Sequence, residues 1–414
     1  MANTGQLNPR RVIDELKELH ALTGNDDGAQ RVAWTSTWDQ ARTWLRGKLA
    51  ELPVEVETDP AGNIWATLPG ASPRALIMGS HIDSVVNGGW LDGCLGVLAG
   101  LEVLRRFSAQ GAPPVTVRLA AWAEEEGTQF GRSCLTASAV VGGFNPAELR
   151  NVTDKNGNRM PDVLKQWGVD IETAPEAARQ LHNAAACLEL HIEQGPVLES
   201  QNLPLAAVVG ALGVERHQIH FSGQTAHAGS TPMPMRRDAL AAAARLALEV
   251  REIAHRRGGV CTVGSLTAHP GIVTAVAGGC DCTLDQRHLD AESLTAMWVD
   301  AQTACRRIAA EEKVEVSWET LYQIEPVLFH PELIAMCAEA VAEVGVTPQR
   351  MPSGPLHDAV VLAKAGLPTA MLFVQSLGGL SHTREENTRE DHLELAVRAF
   401  DRLADKTIGW ILNH

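Results

Sequence analysis

Side chains that can hold a metal ion or move a proton recur in this sequence where apolar runs give way to loops. His81 and Asp83 follow the run 75–78, Glu124, Glu125 and Glu126 follow 115–122, and His191 follows 184–190. Asp92 lies eleven residues after His81 in a Leu-Asp-Gly turn, and His382 lies in a loop before the last amphipathic stretch. Neutral imidazole together with carboxylate suits a borderline divalent metal, and Asp83 is placed to orient the His81 ring from behind. A histidine near a strand end is ordinarily a loop polar group, and three consecutive acids are ordinarily a solvated run. Recurrence at the carboxyl ends of buried strands changes that reading, because open α/β sheets bind their ligands along that edge. Three histidines with one bridging and one terminal acid would hold two ions roughly 3.5–4 Å apart. One acid is then left over as a general base, which takes a proton from water and passes it to a leaving nitrogen. Hydrolysis of an amide-like bond fits that set of groups.

The elements that must position these residues follow from apolar spacing. Helices are expected over 12–22, 37–52 and 93–107, and strands over 53–57, 64–68, 75–78 and the near-continuous apolar run 115–122, which has the character of a buried parallel strand. Strand, loop, helix, strand is the rhythm of an α/β domain. Strands follow at 184–190 and 205–214, the segment 132–143 reads as loop and small-residue helix, and 145–168 as loop with a short helix. The character then changes. Strands at 216–221, 261–266, 279–286 and 314–319 with long helices at 238–255 and 294–310 make a compact α+β unit. From 328 the βα pattern resumes, with helices at 331–344, 357–365 and 393–411, a strand at 369–374 and a loop at 350–355. The expected organisation is a discontinuous catalytic domain, 1–212 with 328–414, and an inserted domain, 213–327.

With 414 residues, 45% hydrophobic and 21% charged, the chain has the composition of a soluble globular protein of two ordinary domains. A net charge of −15 disfavours nucleic acid and anionic membranes as partners. The segment Met1–Arg11 is polar, without the apolar core of a secretory signal, and no run approaches the length of a membrane span, so a cytoplasmic location is expected. The eight cysteines show no paired framework. Cys280 and Cys282 alternate with Leu284 as one face of a strand, which favours a core role over metal binding.

At the level of motifs the sequence resembles the metal-dependent carbamoylase and allantoate-amidohydrolase group of the aminoacylase-like hydrolases. The matching segments are Gly79-Ser-His-Ile-Asp-Ser84, Gly88-Gly-Trp-Leu-Asp-Gly93, Glu125-Glu-Gly-Thr-Gln-Phe130, His191-Ile-Glu-Gln-Gly-Pro196, the loop from Gly223 through His227 to Met233 with Arg236-Arg237-Asp238, Leu284-Asp-Gln-Arg-His288, His357-Asp-Ala359 and Ser381-His382. They stand in the family's order over nearly the whole chain. The resemblance implies a binuclear-metal, exopeptidase-like α/β catalytic domain and an inserted α+β lid that forms a homodimer. It implies His81, Asp92, Glu126, His191 and His382 as ligands of two divalent ions, zinc, manganese, cobalt or nickel, with Asp92 bridging and Glu125 as base. It further implies that His227 reaches the partner subunit's site and polarises the scissile carbonyl, and that Gln194 and Arg287 bind substrate, the guanidinium fork suiting a carboxylate.

Three departures from the family pattern concern the substrate. Thr274 stands where asparagine is usual, which shortens a donor amide to a hydroxyl; Gly354-Pro355-Leu356 replaces Gly-Ala-Gly; and Gln375 replaces a common proline. Thr274, Gly354 and Leu356 therefore join Gln194, His227 and Arg287 as candidate substrate contacts. The expected reaction is hydrolysis of the ureido group of an N-carbamoyl-L-amino acid to the amino acid, ammonia and carbon dioxide. Allantoate, ureidoglycolate or β-ureidopropionate hydrolysis and N-acyl amino acid cleavage are the alternatives within the class. A non-catalytic relative would have lost a ligand or the base, and all six positions are intact.

Overall fold

The computed structural model describes residues 5–414, so the first four residues of the polar stretch Met1–Arg11 lie outside the described part. The chain divides into two compact units, Met1–Val209 with Phe329–His414, and Gly210–Leu328.

The first unit is built on a mixed sheet. Its strands run in the order Leu205–Ala211, Thr369–Val374, Ala184–Ile192, Ser72–His81, Val115–Trp122, Ile64–Leu68 and Glu55–Thr58. The four strands from Thr369–Val374 to Val115–Trp122 are mutually parallel, and their neighbours on either side are antiparallel. Every residue of Val115–Trp122 and of Thr369–Val374 is buried, as continuous apolar runs require when both sheet faces are covered. The helices Pro9–Thr23, Cys94–Gln110 and Glu390–Asn413 supply that cover, each presenting a row of buried Leu, Val and Ile. The helix Cys94–Gln110 sits closest to the strands. A Cβ on Gly96 would lie 2.4 Å from the Leu190 carbonyl oxygen and 2.6 Å from the Ser80 Cβ, so only glycine lets this helix seat against the strands that end in His81 and His191.

The second unit is an antiparallel sheet in the order Val260–His269, Gly279–His288, Gly213–Ser222, Glu315–Ile324, packed on the helices Ala239–Arg257 and Ala291–Glu312. Cys280 pairs with Phe221 and Cys282 with Ile219, and all four side chains are buried in that helix-facing core. The core role expected for Cys280 and Cys282 is what the structure shows, and all eight cysteines are free thiols.

Two expectations about elements are corrected. The run 205–214 is not one strand but the whole of Leu205–Ala211 and the start of Gly213–Ser222. Apolar character alone cannot mark a break between two strands of equal hydrophobicity. The segment 350–355 is not all loop, since Arg350–Ser353 forms a short strand beside Leu205–Ala211, where Pro352 is tolerated because the position lies at a sheet edge. The 3₁₀ turn Ala174–Leu181, with Ala174, Ala177 and Gln180 buried at every third residue, lies between the expected elements. No helix among the described residues is long and apolar enough to cross a membrane.

Replacing Gly96 by alanine tests the close approach of helix to sheet. Alanine is the better helix former, so a solvent-facing glycine would gain stability on this change. Here the added methyl meets backbone that no rotamer can clear, and Gly96→Ala is expected to destabilise by about 1–3 kcal/mol in urea unfolding. Unchanged or raised stability would mean that the helix does not depend on this contact.

Candidate metal centre

Register brings the chemistry to one edge. In the parallel sheet His81 stands level with Trp122, and His191 with Phe373, so both histidines and the acids after Trp122 emerge at neighbouring carboxyl ends. Asp92 arrives on the loop before the helix Cys94–Gln110. The residue after it, Gly93, has φ of +66°, and a Cβ there would lie 2.4 Å from His81 Nδ1. Glycine is required at this point both by the left-handed backbone and by the imidazole packed over it.

Asp92 is the centre of the arrangement. Its Oδ1 lies 3.4 Å from His81 Nε2 and 3.1 Å from His191 Nε2, and its Oδ2 lies 3.4 Å from His382 Nε2. His382 Nε2 is also 3.4 Å from Glu126 Oε2. The donors thus form two groups able to hold an ion, His81–Asp92–His191 and Asp92–Glu126–His382, which share one carboxylate. The ring nitrogens turned away from Asp92 are engaged: His81 Nδ1 is 3.1 Å from the Asp83 carbonyl oxygen, and His191 Nδ1 is 3.0 Å from the Ile192 carbonyl oxygen. A carbonyl can only accept, so each Nδ1 carries a proton, which leaves Nε2 as the nitrogen that faces Asp92 and that a metal ion would take. Glu126 Oε1 is buried and without a hydrogen-bond partner. An unpaired buried carboxylate oxygen in this set of donors is unfavourable alone and suited to a cation. On these observations the donor set fits divalent metal ions, with imidazole nitrogen and carboxylate oxygen of the kind zinc, manganese, cobalt and nickel accept.

Asp83 does more than was expected of it. Its Oδ1 lies 3.4 Å from His81 Nδ1, but its backbone carbonyl makes the closer contact with that ring. The carboxylate accepts from the backbone N–H of Glu125 at 3.1 Å and of Glu126 at 3.3 Å, so it fixes the acidic segment as well as the imidazole. That segment is not a solvated run. Glu124 is fully buried and accepts from Trp34 Nε1 at 2.6 Å, while Glu125 is 7% exposed and accepts from the Cys134 thiol at 3.2 Å.

The electrostatics separate the acids into two kinds. Asp92 is buried, which by itself would raise its pKa, yet contacts with His191, His382 and His81 hold it well below the usual carboxylate range. Glu125 has no such set of partners. Burial pushes it up to about 7, with His81 opposing and the Asp83 charge adding to the shift. Glu124 is pushed by burial up to about 8. The Asp92 contact, set against burial, lifts His382 to about 9. One acid is therefore held in its charged form, and a neighbouring one is poised to exchange a proton near neutral pH.

The pocket at this edge has a volume of about 160 Å³. His81, Asp92, Glu125, Glu126, His191, Gln194, Leu356 and His382 all line it, so the expected ligands, the expected base and two of the expected substrate contacts converge. Pro355 lines it beside Leu356, whereas Gly354 does not. His227, Thr274 and Arg287 belong to the second unit. There His227 is exposed, its Nδ1 accepting from the backbone N–H of Gly229 and Ser230 at 3.0 and 3.1 Å, which leaves Nε2 directed outward. The Ala228 N–H donates to the Thr274 carbonyl at 2.8 Å, tying those two candidate positions together. Arg287 is held by Asp285, with Nε 2.8 Å from Oδ1.

Glu386, which no motif singled out, completes the centre together with Ser381 and Gln194, which stand in the matching segments. Glu386 Oε1 accepts from the backbone N–H of Leu91 at 2.9 Å and of Asp92 at 3.0 Å. The Ser381 hydroxyl lies 2.9 Å from Asp92 Oδ2 and 3.0 Å from Glu386 Oε2, and Gln194 Nε2 donates to Asp92 Oδ2 at 2.8 Å. Glu386 thus clamps the Asp92 loop to the segment that carries His382. Its position four residues after that histidine was the only signal available. His357 also packs on the centre, its ring 4.4 Å from that of His191.

The residues 77–406 match Peptidase family M20/M25/M40, and the chain belongs to that family. It is a hydrolase of carbon–nitrogen bonds other than peptide bonds. Among characterised relatives it is 37% identical to the N-carbamoyl-L-amino acid amidohydrolase of Geobacillus stearothermophilus over 88% of this chain and 90% of that one. It is 34% identical to the allantoate amidohydrolase of Escherichia coli (strain K12), over 94% and 96%. Among solved structures it is similar to a hydantoinase/carbamoylase-family amidase from Burkholderia multivorans, with a TM-score of 0.88 at 30% identity, covering 97% of this chain and 98% of that one.

Because Glu386 holds the backbone of a ligand rather than a metal, its loss should act through position. Glu386→Ala is expected to weaken metal binding by roughly 10–100-fold, read by competition with a chelating dye. Affinity equal to that of the unaltered protein would show that the Asp92 loop keeps its place without the clamp.

Proposed function

We propose that this protein hydrolyses the ureido group of an N-carbamoyl-L-amino acid, using two divalent metal ions held by His81, Asp92, Glu126, His191 and His382. The observation that carries the reading is the pair of ion-binding groups sharing Asp92, with Glu125 beside them and outside both. When bound, the metals would supply Lewis acidity, polarising the scissile carbonyl and making water a better acid. Glu125 is assigned the proton transfer. Its Oε2 lies 3.9 Å from His81 Nε2, and its position near neutrality lets it accept a proton from water and return it to the leaving nitrogen. The Cys134 thiol steadies Oε1 and leaves the other oxygen for that exchange. Gln194 Nε2 is assigned to orientation at the pocket wall, where its Oε1 has no partner.

Pro355 and Leu356 support an amino acid derivative over the wholly polar allantoate. They give the pocket an apolar wall, and Leu356 remains 37% exposed, available to cover a substrate side chain. On the strength of the sequence resemblance His227 is assigned to the oxyanion of a partner subunit in a homodimer, and Arg287 and Thr274 to the substrate carboxylate. The lid and dimerisation role of residues 213–327 and a cytoplasmic location rest on the same resemblance.

Purified protein reconstituted with manganese should release ammonia from N-carbamoyl-L-amino acids, and a chelator should abolish the release until metal is restored. Chelator-insensitive turnover would reject the metal assignment. Amino acid freed only from N-acyl substrates, with no ammonia from any ureide, would place the chain with the acylases instead. Glu125→Gln is expected to keep its metal content and lose turnover by about 10²–10⁴-fold. Full activity in that variant would remove Glu125 from the base role.

A further inference from the structure

A different pocket of the first unit, outside the metal centre, collects positive charge. It has a volume of about 500 Å³ and lies between the helix Ser36–Leu49, the turn 59–63 and the loop at Trp167, with Arg42, Arg46 and Arg179 on its walls. Three guanidiniums meeting in a chain of net charge −15 call for a reason. Arg42 is 6% exposed and lies over the Trp38 ring at 4.3 Å. One of its terminal nitrogens, Nη2, donates to the Gly62 carbonyl at 2.7 Å, and the other, Nη1, is buried with no partner. Arg46 donates to the Thr58 hydroxyl. Neither forms an ion pair among the described residues.

The two acids of the pocket offset that charge only in part. Asp59 is already saturated by its own turn, accepting from the backbone N–H of Ala61 and Asn63, from Asn63 Nδ2 and from Trp65 Nε1, at 2.8–3.0 Å. Asp39 is exposed in the first turn of its helix. Burial, and then the neighbouring Arg46, push the Arg42 guanidinium down to about 10, with Asp39 and Asp59 opposing. Burying a guanidinium with an idle donor is costly unless an anion comes to it.

We propose that this pocket binds a phosphate group, with Arg42, Arg46 and Arg179 as its donors. Planar guanidinium forks match the oxygens of phosphate two at a time, and three of them converging suit a dianion. The volume is more than one phosphate needs and falls in the range of small-molecule sites, so the group is carried either free or on a small organic molecule such as a nucleoside monophosphate. The back wall leads to the catalytic segment. Trp38 Nε1 donates to the Ala123 carbonyl at 2.9 Å, and the Ala123 N–H donates to Asn63 Oδ1 at 3.0 Å. Ala123 immediately precedes Glu124, Glu125 and Glu126, so the bound anion and those acids share one hydrogen-bonded wall.

The test is calorimetric titration of the metal-loaded, full-length protein with inorganic phosphate and, separately, with adenosine 5′-monophosphate at low ionic strength. The protein is compared with the Arg46→Gln/Arg179→Gln variant, whose altered side chains are half-buried and exposed, so that folding is not at stake; metal content is measured in both. One-to-one binding that weakens by at least about tenfold in the variant at unchanged metal content is the expected result. Equal affinities for the two ligands would identify free phosphate as the occupant, and tighter binding of the monophosphate an organic one. Binding that survives the double substitution would place the anion at the metals and overturn the proposal. So would the absence of binding by both ligands at millimolar concentration.

Discussion

One carboxylate carries the organisation of the first unit. Asp92 meets His81 and His191 through one oxygen and His382 through the other, and these residues come from four separated stretches of chain. A buried anion in this position is tolerable only because imidazoles, a glutamine amide and a serine hydroxyl surround it, and because cations are its natural occupants. Much of the surrounding fold serves to deliver that carboxylate. The parallel register aligns the histidine-bearing strand ends, Gly96 lets the helix after Asp92 approach them, and Gly93 lets the loop pass under the His81 ring.

Around this centre the charges are divided by environment rather than by residue type. Asp92 and Glu125 are both buried acids, yet partners hold one as an anion and desolvation keeps the other close to neutrality. The difference comes from geometry. Asp92 faces three imidazole nitrogens, whereas Glu125 faces a thiol on one oxygen and a single imidazole at 3.9 Å on the other. A ligand must stay charged and a base must exchange protons, so the separation suits a division of labour between adjacent groups.

Support for the centre comes mostly from backbone contacts that carry no charge of their own. Asp83 holds the N–H groups of Glu125 and Glu126, Glu386 holds those of Leu91 and Asp92, and two carbonyls fix the tautomers of His81 and His191. Such contacts orient the ligands with little freedom, which is how a protein tunes a metal it touches with only a few atoms. The second unit is made by different means, an alternating sheet with one face on two helices, and its candidate side chains His227 and Arg287 are held by a turn backbone and by Asp285.

The sequence alone was sufficient for most of the elements and brought forward the residues that the structure gathers in one pocket. Continuous apolar runs marked the buried strands, the helical period marked the long helices, and histidines or acids at the ends of those runs marked the candidate ligands, because each of these is a property of neighbours along the chain. Motif resemblance added the roles of Asp92 and Glu125. Tertiary structure decided what depends on residues far apart. Glu386 reaches back nearly three hundred positions to Asp92, the Asp83 carboxylate serves the acidic segment as well as His81, and Arg42 is left with one idle nitrogen only once the turn at Gly62 takes the other. No periodicity or local composition records such contacts. They are set by long-range packing, which puts a carboxylate beside two N–H groups in one place and leaves a guanidinium nitrogen without a partner in another.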